Sequence, residues 1–252
     1  MEDVRREILA RVAEGTLTPQ DAAAELRELE GSTEPATPVA EAPPPTDLAR
    51  VRVVASMGRV VILGDESVRE AVADGPQQVH REGDTLVIES TYDDGAGFTF
   101  GRVHFGFDLP DPRLLVRMNP SLLLDAEVQA GSLRIQGVRS RIRAEVQAGS
   151  TRIEGFSAPL DLDVQAGSVK ASGLLSGGSS RIRCQAGSVS LDLDPRSSVT
   201  IKAKTSLGRV SLPDSKAVSG IGGGVARAQV GEGAGTLDIQ NEMGSVTVSV
   251  SR

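Results

Sequence analysis

Four times between Leu122 and Leu193 the chain writes an apolar residue or cysteine followed by Gln-Ala-Gly-Ser: Val128 to Ser132, Val146 to Ser150, Val164 to Ser168 and Cys184 to Ser188. The glutamines Gln129, Gln147, Gln165 and Gln185 are 18, 18 and 20 residues apart. A fixed period near that length marks stacked repeats. One, three and five residues before each glutamine stand Val128, Ala126 and Leu124, then Val146, Ala144 and Ile142, then Val164, Leu162 and Leu160, then Cys184, Ile182 and Ser180. Charged residues fill the positions between them, Asp125 and Glu127 in the first repeat and Arg181 and Arg183 in the last. Alternation with period two is the mark of a half-buried strand. Past Gly131, Gly149, Gly167 and Gly187 a second alternation follows, with Leu133 and Ile135, Thr151 and Ile153, Val169 and Ala171, Val189 and Leu191. Each repeat therefore predicts strand, tight turn, strand, turn.

A single repeat buries five or six apolar side chains, worth about 1.5–3 kcal/mol each. Ordering its backbone costs about 1–2 kcal/mol per residue. It cannot stand alone, so the expected fold is mainly β: a parallel β-solenoid, or β-helix, with rungs of 18–20 residues sharing one core. Stacking would line the glutamines into an amide ladder beside a column of the four repeat glycines. It would also align Asp125, Arg143, Asp161 and Arg181, whose alternating signs attract between neighbours. Arg134, Arg152 and Lys170 would stack as like charges. They read either as a solvated face relieved by Glu154 or as a basic stripe for an anionic partner.

The flanks extend the pattern. Val51, Val53 and Ala55 lead to Met57-Gly58-Arg59-Val60, Ile201 to Thr205 lead to Leu207-Gly208-Arg209-Val210, and Leu237 to Asn241 lead to Met243-Gly244-Ser245-Val246. The last of these strands reaches the end of the chain, and its edge needs a cover or invites a second copy. Residues 65–120 are less regular. Tyr92 to Phe107 holds four of the five phenylalanines and reads either as a binding surface or as packing over an insertion.

Residues 1–30 predict a small α-helical hairpin. Val4, Ile8 and Val12 share one face, and Thr18-Pro19-Gln20-Asp21 opens a second helix whose apolar side carries Leu26 and Leu29. So short a unit buries too little surface to be stable alone. These apolar residues are therefore candidate contacts to a protein partner or to a second copy. Residues 31–47 contain five prolines and predict a semi-extended linker, which leaves 48–252 for the solenoid.

Composition narrows the function. Only 2% of residues are aromatic and the net charge is −7, which disfavours a carbohydrate cleft and a nucleic-acid partner. Cys184 is the single cysteine and falls in an inward column, so it reads as a buried thiol. The two histidines form no metal-ligand pattern, and no nucleotide loop, nucleophile elbow or zinc motif occurs. No catalytic residue, cofactor or metal is expected. A polysaccharide-active enzyme would have to use Asp161, Asp163, Arg181 and Arg183, residues any charged solenoid face offers. The start, MEDVRREILARVAEG, has no apolar core of a signal peptide, and no run is long enough for a membrane span. A cytoplasmic location is expected, with the envelope reached only through a partner.

The repeated strand–glycine–strand units, centred on Gly58, Gly131, Gly149, Gly167, Gly187, Gly208 and Gly244, resemble the bacterial "putative adhesin" type of β-solenoid domain, whose function is unassigned. The segment EILARVAEGTLTPQDAAAELRELE is similar to the helical hairpin that precedes that domain in YvlB- and LiaX-type proteins. The resemblance implies a non-enzymatic protein linked to bacterial cell-envelope stress and carries no catalytic residues. The leading expectation is an interaction scaffold that docks or self-associates through the hairpin or the solenoid ends. The alternatives are a self-assembling filament similar to bactofilins and, behind it, the polysaccharide enzyme.

Overall fold

The computed structural model describes residues 49–91, 113–213 and 218–251, and of residues 218–223 the backbone alone. The chain divides into two units, Met1–Thr46 and Asp47–Arg252, and the description concerns the second. The expected hairpin with Val4, Ile8, Val12, Leu26 and Leu29, the linker and the Tyr92–Phe107 segment lie outside the described residues.

Twelve strands follow in chain order: β1 (Arg50–Gly64), β2 (Ala71–Asp74), β3 (Gln77–Glu82), β4 (Thr85–Ser90), β5 (Arg113–Met118), β6 (Leu123–Gln136), β7 (Ile142–Phe156), β8 (Leu160–Gly173), β9 (Ser179–Leu193), β10 (Val199–Ser211), β11 (Val218–Val230) and β12 (Gly235–Val250). They form one mixed sheet in the order β11-β10-β12-β9-β8-β7-β6-β1-β4-β3, with β5 beside β1 and β2 beside β5. This corrects the expected fold. The described residues hold no helix, and they form a single open sheet rather than a coil of short strands parted by turns.

The reason lies in the Gln-Ala-Gly-Ser segment. It is not a turn, because pairing runs straight through it: Val128 opposite Val146, Ala130 opposite Ala148, Gly131 opposite Gly149, Ser132 opposite Ser150. The glycine alone takes a left-handed φ, +136° at Gly131 and +138° at Gly149, while its neighbours stay extended. The strand bends without leaving the ladder, so each repeat is one bent strand of 14 or 15 residues. The inward side chains of both arms, Val128 and Leu133 in β6 for example, join one core with Val138, Phe156 and Leu175 from outside the arms or at their ends.

Seven parallel strands, β1, β6, β7, β8, β9, β12 and β10, thus bring their glycines into one column. The backbones approach so closely there that a Cβ on Gly149 would lie 1.8 Å from the Gly131 carbonyl oxygen, and one on Gly187 would lie 1.7 Å from that of Gly167.

Thr151, Ser180, Thr205 and Asn241 are buried polar residues in the inward columns, and the first two illustrate different outcomes. Ser180 is buried, and its Oγ accepts the Leu160 amide at 3.2 Å. Thr151 is buried between Leu133 and Val169, and its Oγ1 has no hydrogen-bond partner. Thr151→Val, which keeps the shape and removes the unpaired hydroxyl, is expected to raise unfolding free energy by about 1 kcal/mol, read as a higher urea midpoint at unchanged slope.

The repeats do not stack in chain order at the C-terminal end. β10 turns back as antiparallel β11, and β12 inserts between β9 and β10, parallel to both. The final strand is therefore interior, which corrects the expectation of an edge there. At the other end the layer next to β1 is split. β4 pairs with its first arm and β5 with its second. Antiparallel strands flank the parallel stack at both ends, β3 on β4 and β2 on β5 at one, β11 on β10 at the other.

Candidate functional site

The outward side chains of the first arms form straight columns. Register places Arg52, Asp125, Arg143, Asp161, Arg181, Asp238 and Lys202 side by side across the seven parallel strands. Signs alternate at every step. They do so because β12 is inserted: in chain order Arg181 would adjoin Lys202, whereas Asp238 lies between them. The alternation visible in the four repeats thus runs through three further strands. The same offset of four residues, counted back from Ser56, Glu242 and Ser206, reaches Arg52, Asp238 and Lys202, a signal the sequence holds once the bend glycines are used for alignment. Arg227 on β11 faces Lys202 and ends the alternation.

The next column on the same face behaves differently. Glu127, Glu145 and Asp163 are adjacent, followed by Arg183, Gln240 and Lys204. Arg52 Nη2 lies 3.3 Å from Glu127 Oε2, and Arg183 Nη1 lies 3.9 Å from Asp163 Oδ2. Glu145, in the middle, is exposed and makes no ion pair among the described residues. The neighbouring Arg143, Asp161 and Arg181 are also exposed and without one. Two depressions lie on this face. One, of about 350 Å³, is bordered by Arg50, Arg52, Asp125, Arg143 and Glu145. The other, of about 220 Å³, is bordered by Asp163, Arg183, Lys204, Gln240 and Glu242.

Register sets Gln129, Gln147, Gln165 and Gln185 in one exposed column, flanked by aligned pairs such as Val128 with Val146 and Ala130 with Ala148. No hydrogen bond joins their amides, so what binds these layers is the backbone ladder and the glycine contact beside it. On the second arms, Arg134 Nη2 lies 3.0 Å and Arg152 Nε 2.8 Å from the Glu154 carboxylate, which also accepts from Gln136. The Gln136 and Arg134 bonds hold the Glu154 carboxyl below the ordinary carboxylate range. The two stacked arginines thus share one carboxylate, which offsets half of their charge, and Lys170 makes no ion pair among the described residues.

Cys184 is buried beside Val164 and Asn241, and burial, then the nearby Asp163 charge, pushes its thiol pKa up. A protonated, enclosed thiol is a poor nucleophile. Asp161 stands opposite Arg181 and Asp163 opposite Arg183 on the open charged face. Among the described residues no three His, Cys, Asp or Glu side chains gather to hold a metal, and no helix is long and apolar enough to cross a membrane.

No family model and no curated protein matches the chain. A crystal structure described as a "putative cell adhesion protein" from Clostridium sporogenes is similar over 82% of this chain and 95% of that one, at 13% identity and a TM-score of 0.45.

Proposed function

We propose that the sheet is a non-enzymatic protein-binding scaffold whose contact surface is the charged outer face of the first arms. One observation carries this reading. On a face where one column alternates in sign at every parallel step, the adjacent column stacks three carboxylates, Glu127, Glu145 and Asp163, with the central one unpaired. Like charges directly opposite in a sheet are destabilising. Departures of this kind from local consistency collect at functional positions. The chemistry fits a partner protein that presents lysine or arginine opposite Glu145.

The substitution Glu145→Lys separates binding from folding. It turns the run into Glu127, lysine, Asp163, an alternating triplet, so the protein is expected to unfold at the same or a slightly higher temperature. Proteins captured by the full chain at low salt are expected to be lost with Glu145→Lys and kept with Lys170→Glu on the other arm. Capture should also weaken as ionic strength rises. The same proteins bound by Glu145→Lys as by the unaltered chain would refute the reading. The family resemblance supports an adaptor linked to cell-envelope stress, cytoplasmic or held at the envelope by its partner. Envelope or membrane proteins among the Glu145-dependent partners would support that placement, and their absence would count against it. The apolar residues of segment 1–30 belong to the proposal as a second docking element, tested by repeating the capture with residues 48–252.

A further inference from the structure

The charged face of the first arms changes sign across its own middle. In the order β11-β10-β12-β9-β8-β7-β6-β1 the midpoint falls between β9 and β8. On the β8 side one column carries Asp163, Glu145 and Glu127, and on the β9 side it carries Arg183, Gln240 and Lys204. The acids of that column are gathered in one half and its cations in the other. The adjacent column alternates through Arg143, Asp161, Arg181 and Asp238 across the same midpoint. A face with this arrangement is complementary to a copy of itself turned over.

We propose that two copies of this chain pack face to face through the first arms, about a two-fold axis parallel to the strands between β8 and β9. The proposal rests on the reading of this face as a contact surface and names its occupant. The rotation keeps each column on itself and reverses the strand order, so β8 meets β9 of the second copy, β7 meets β12 and β6 meets β10. Asp163 then faces Arg183, Glu127 faces Lys204, and Glu145 faces Gln240 with those two cations on either side. In the alternating column Asp161 faces Arg181, Arg143 faces Asp238 and Asp125 faces Lys202. An isologous contact makes each of these pairings twice. At the rim Val54 faces Val225, which is 50% exposed in a single copy. The one like pair in these columns, Arg52 with Arg227, also falls at the rim, where solvent screens it. Charge fixes the position of the axis. An axis on any strand would set every charge of the alternating column against its own sign, and one between β7 and β8 would set Glu145 against Asp163. One between β9 and β12 would leave β6 and β1 without a facing strand. With the axis at the midpoint, eight strands overlap over about 38 Å by about 23 Å, or about 900 Å² per copy, which is the scale of a stable interface.

Charge reversal beside the axis tests it in the full chain. Asp163→Arg sets guanidinium against guanidinium across the axis, and Arg183→Asp sets carboxylate against carboxylate. In an equimolar mixture of the two variants each new charge meets its opposite. Sedimentation velocity at low salt over a concentration series is expected to show a dimer for the unaltered chain. Its dissociation constant should rise about tenfold or more with either substitution alone. Mixing the two variants, or placing both substitutions in one chain, should restore the dimer. Val79→Lys, on β3 beyond the overlapping strands, should leave it unchanged. A monomer at every concentration, a dimer that neither substitution weakens, or one that the mixture does not restore would overturn the pairing. Glu145-dependent capture of other proteins by a monomeric chain would keep the contact face and overturn only its pairing with a copy. A dimer that captures no other protein would keep the pairing and count against the wider scaffold.

Discussion

Gly149→Ala is expected to remove about 3–5 kcal/mol of stability, a loss at the top of the range for a single methyl group added at the surface of a strand. Two effects add. The residue sits at φ +138°, where a side chain strains the backbone by about 1–2 kcal/mol. The new Cβ would also lie 1.8 Å from the Gly131 carbonyl oxygen, a backbone atom that moves only if the two strands part. Gly131 and Gly167 lie on either side of Gly149 in the same column, so relief on one side compresses the other. Two controls isolate the cause. Gly83 has φ +61° with nothing within 4 Å of its would-be Cβ, and Gly83→Ala should cost only about 1 kcal/mol. Gly177 has neither restraint, and Gly177→Ala should fall within about 0.5 kcal/mol of the unaltered chain. Urea denaturation of the three variants checks the order. If Gly149→Ala were as mild as Gly83→Ala, the close strand contact at the bend would be wrong.

Phe156→Ala is expected to cost about 3–5 kcal/mol, because the ring is buried in the core at 1% exposure and its loss leaves a cavity the surrounding strands cannot fill. How the ring reaches the core is instructive. Ile153 points inward and Glu154 outward, so strict alternation would send Phe156 to solvent. The register between β7 and β8 shifts between Glu154 and Phe156, and Gly155 at φ +69° takes up the extra residue. The bulge turns Phe156 inward against Gly173, where an added Cβ would approach the ring to 2.8 Å. Phe156→Leu, which keeps much of the volume, should lose less. Equal denaturation midpoints for Phe156→Ala and the unaltered chain would show that the ring does not fill the core.

Much of the candidate face was legible in the sequence, and the reason is geometric. A strand alternates its side chains with period two, so the charged residues at Asp125, Arg143, Asp161 and Arg181 had to share a face once repeats of nearly constant length paired in parallel. The buried columns followed from the same parity. Phe156 was not legible, because a one-residue bulge reverses parity and leaves no mark beyond an ordinary glycine. The stacked carboxylates at Glu127, Glu145 and Asp163 were present in the repeats, but their importance depends on Glu145 lacking the arginine partner that its two neighbours have.

The sequence by itself determined which residues face inward along each arm, where each repeat changes direction, and that neighbouring repeats must share a core. Local sterics and periodicity suffice for those. Tertiary structure alone decided that the Gln-Ala-Gly-Ser segment bends a continuous strand instead of ending one, because that depends on the next strand staying hydrogen-bonded through the bend. It also decided the strand order. β12 lies between β9 and β10 because that position offers two full parallel ladders and sets Asp238 between Arg181 and Lys202. No local pattern encodes a choice made by partners more than thirty residues away, and that choice is what puts β11 rather than β12 at the end of the sheet among the described residues.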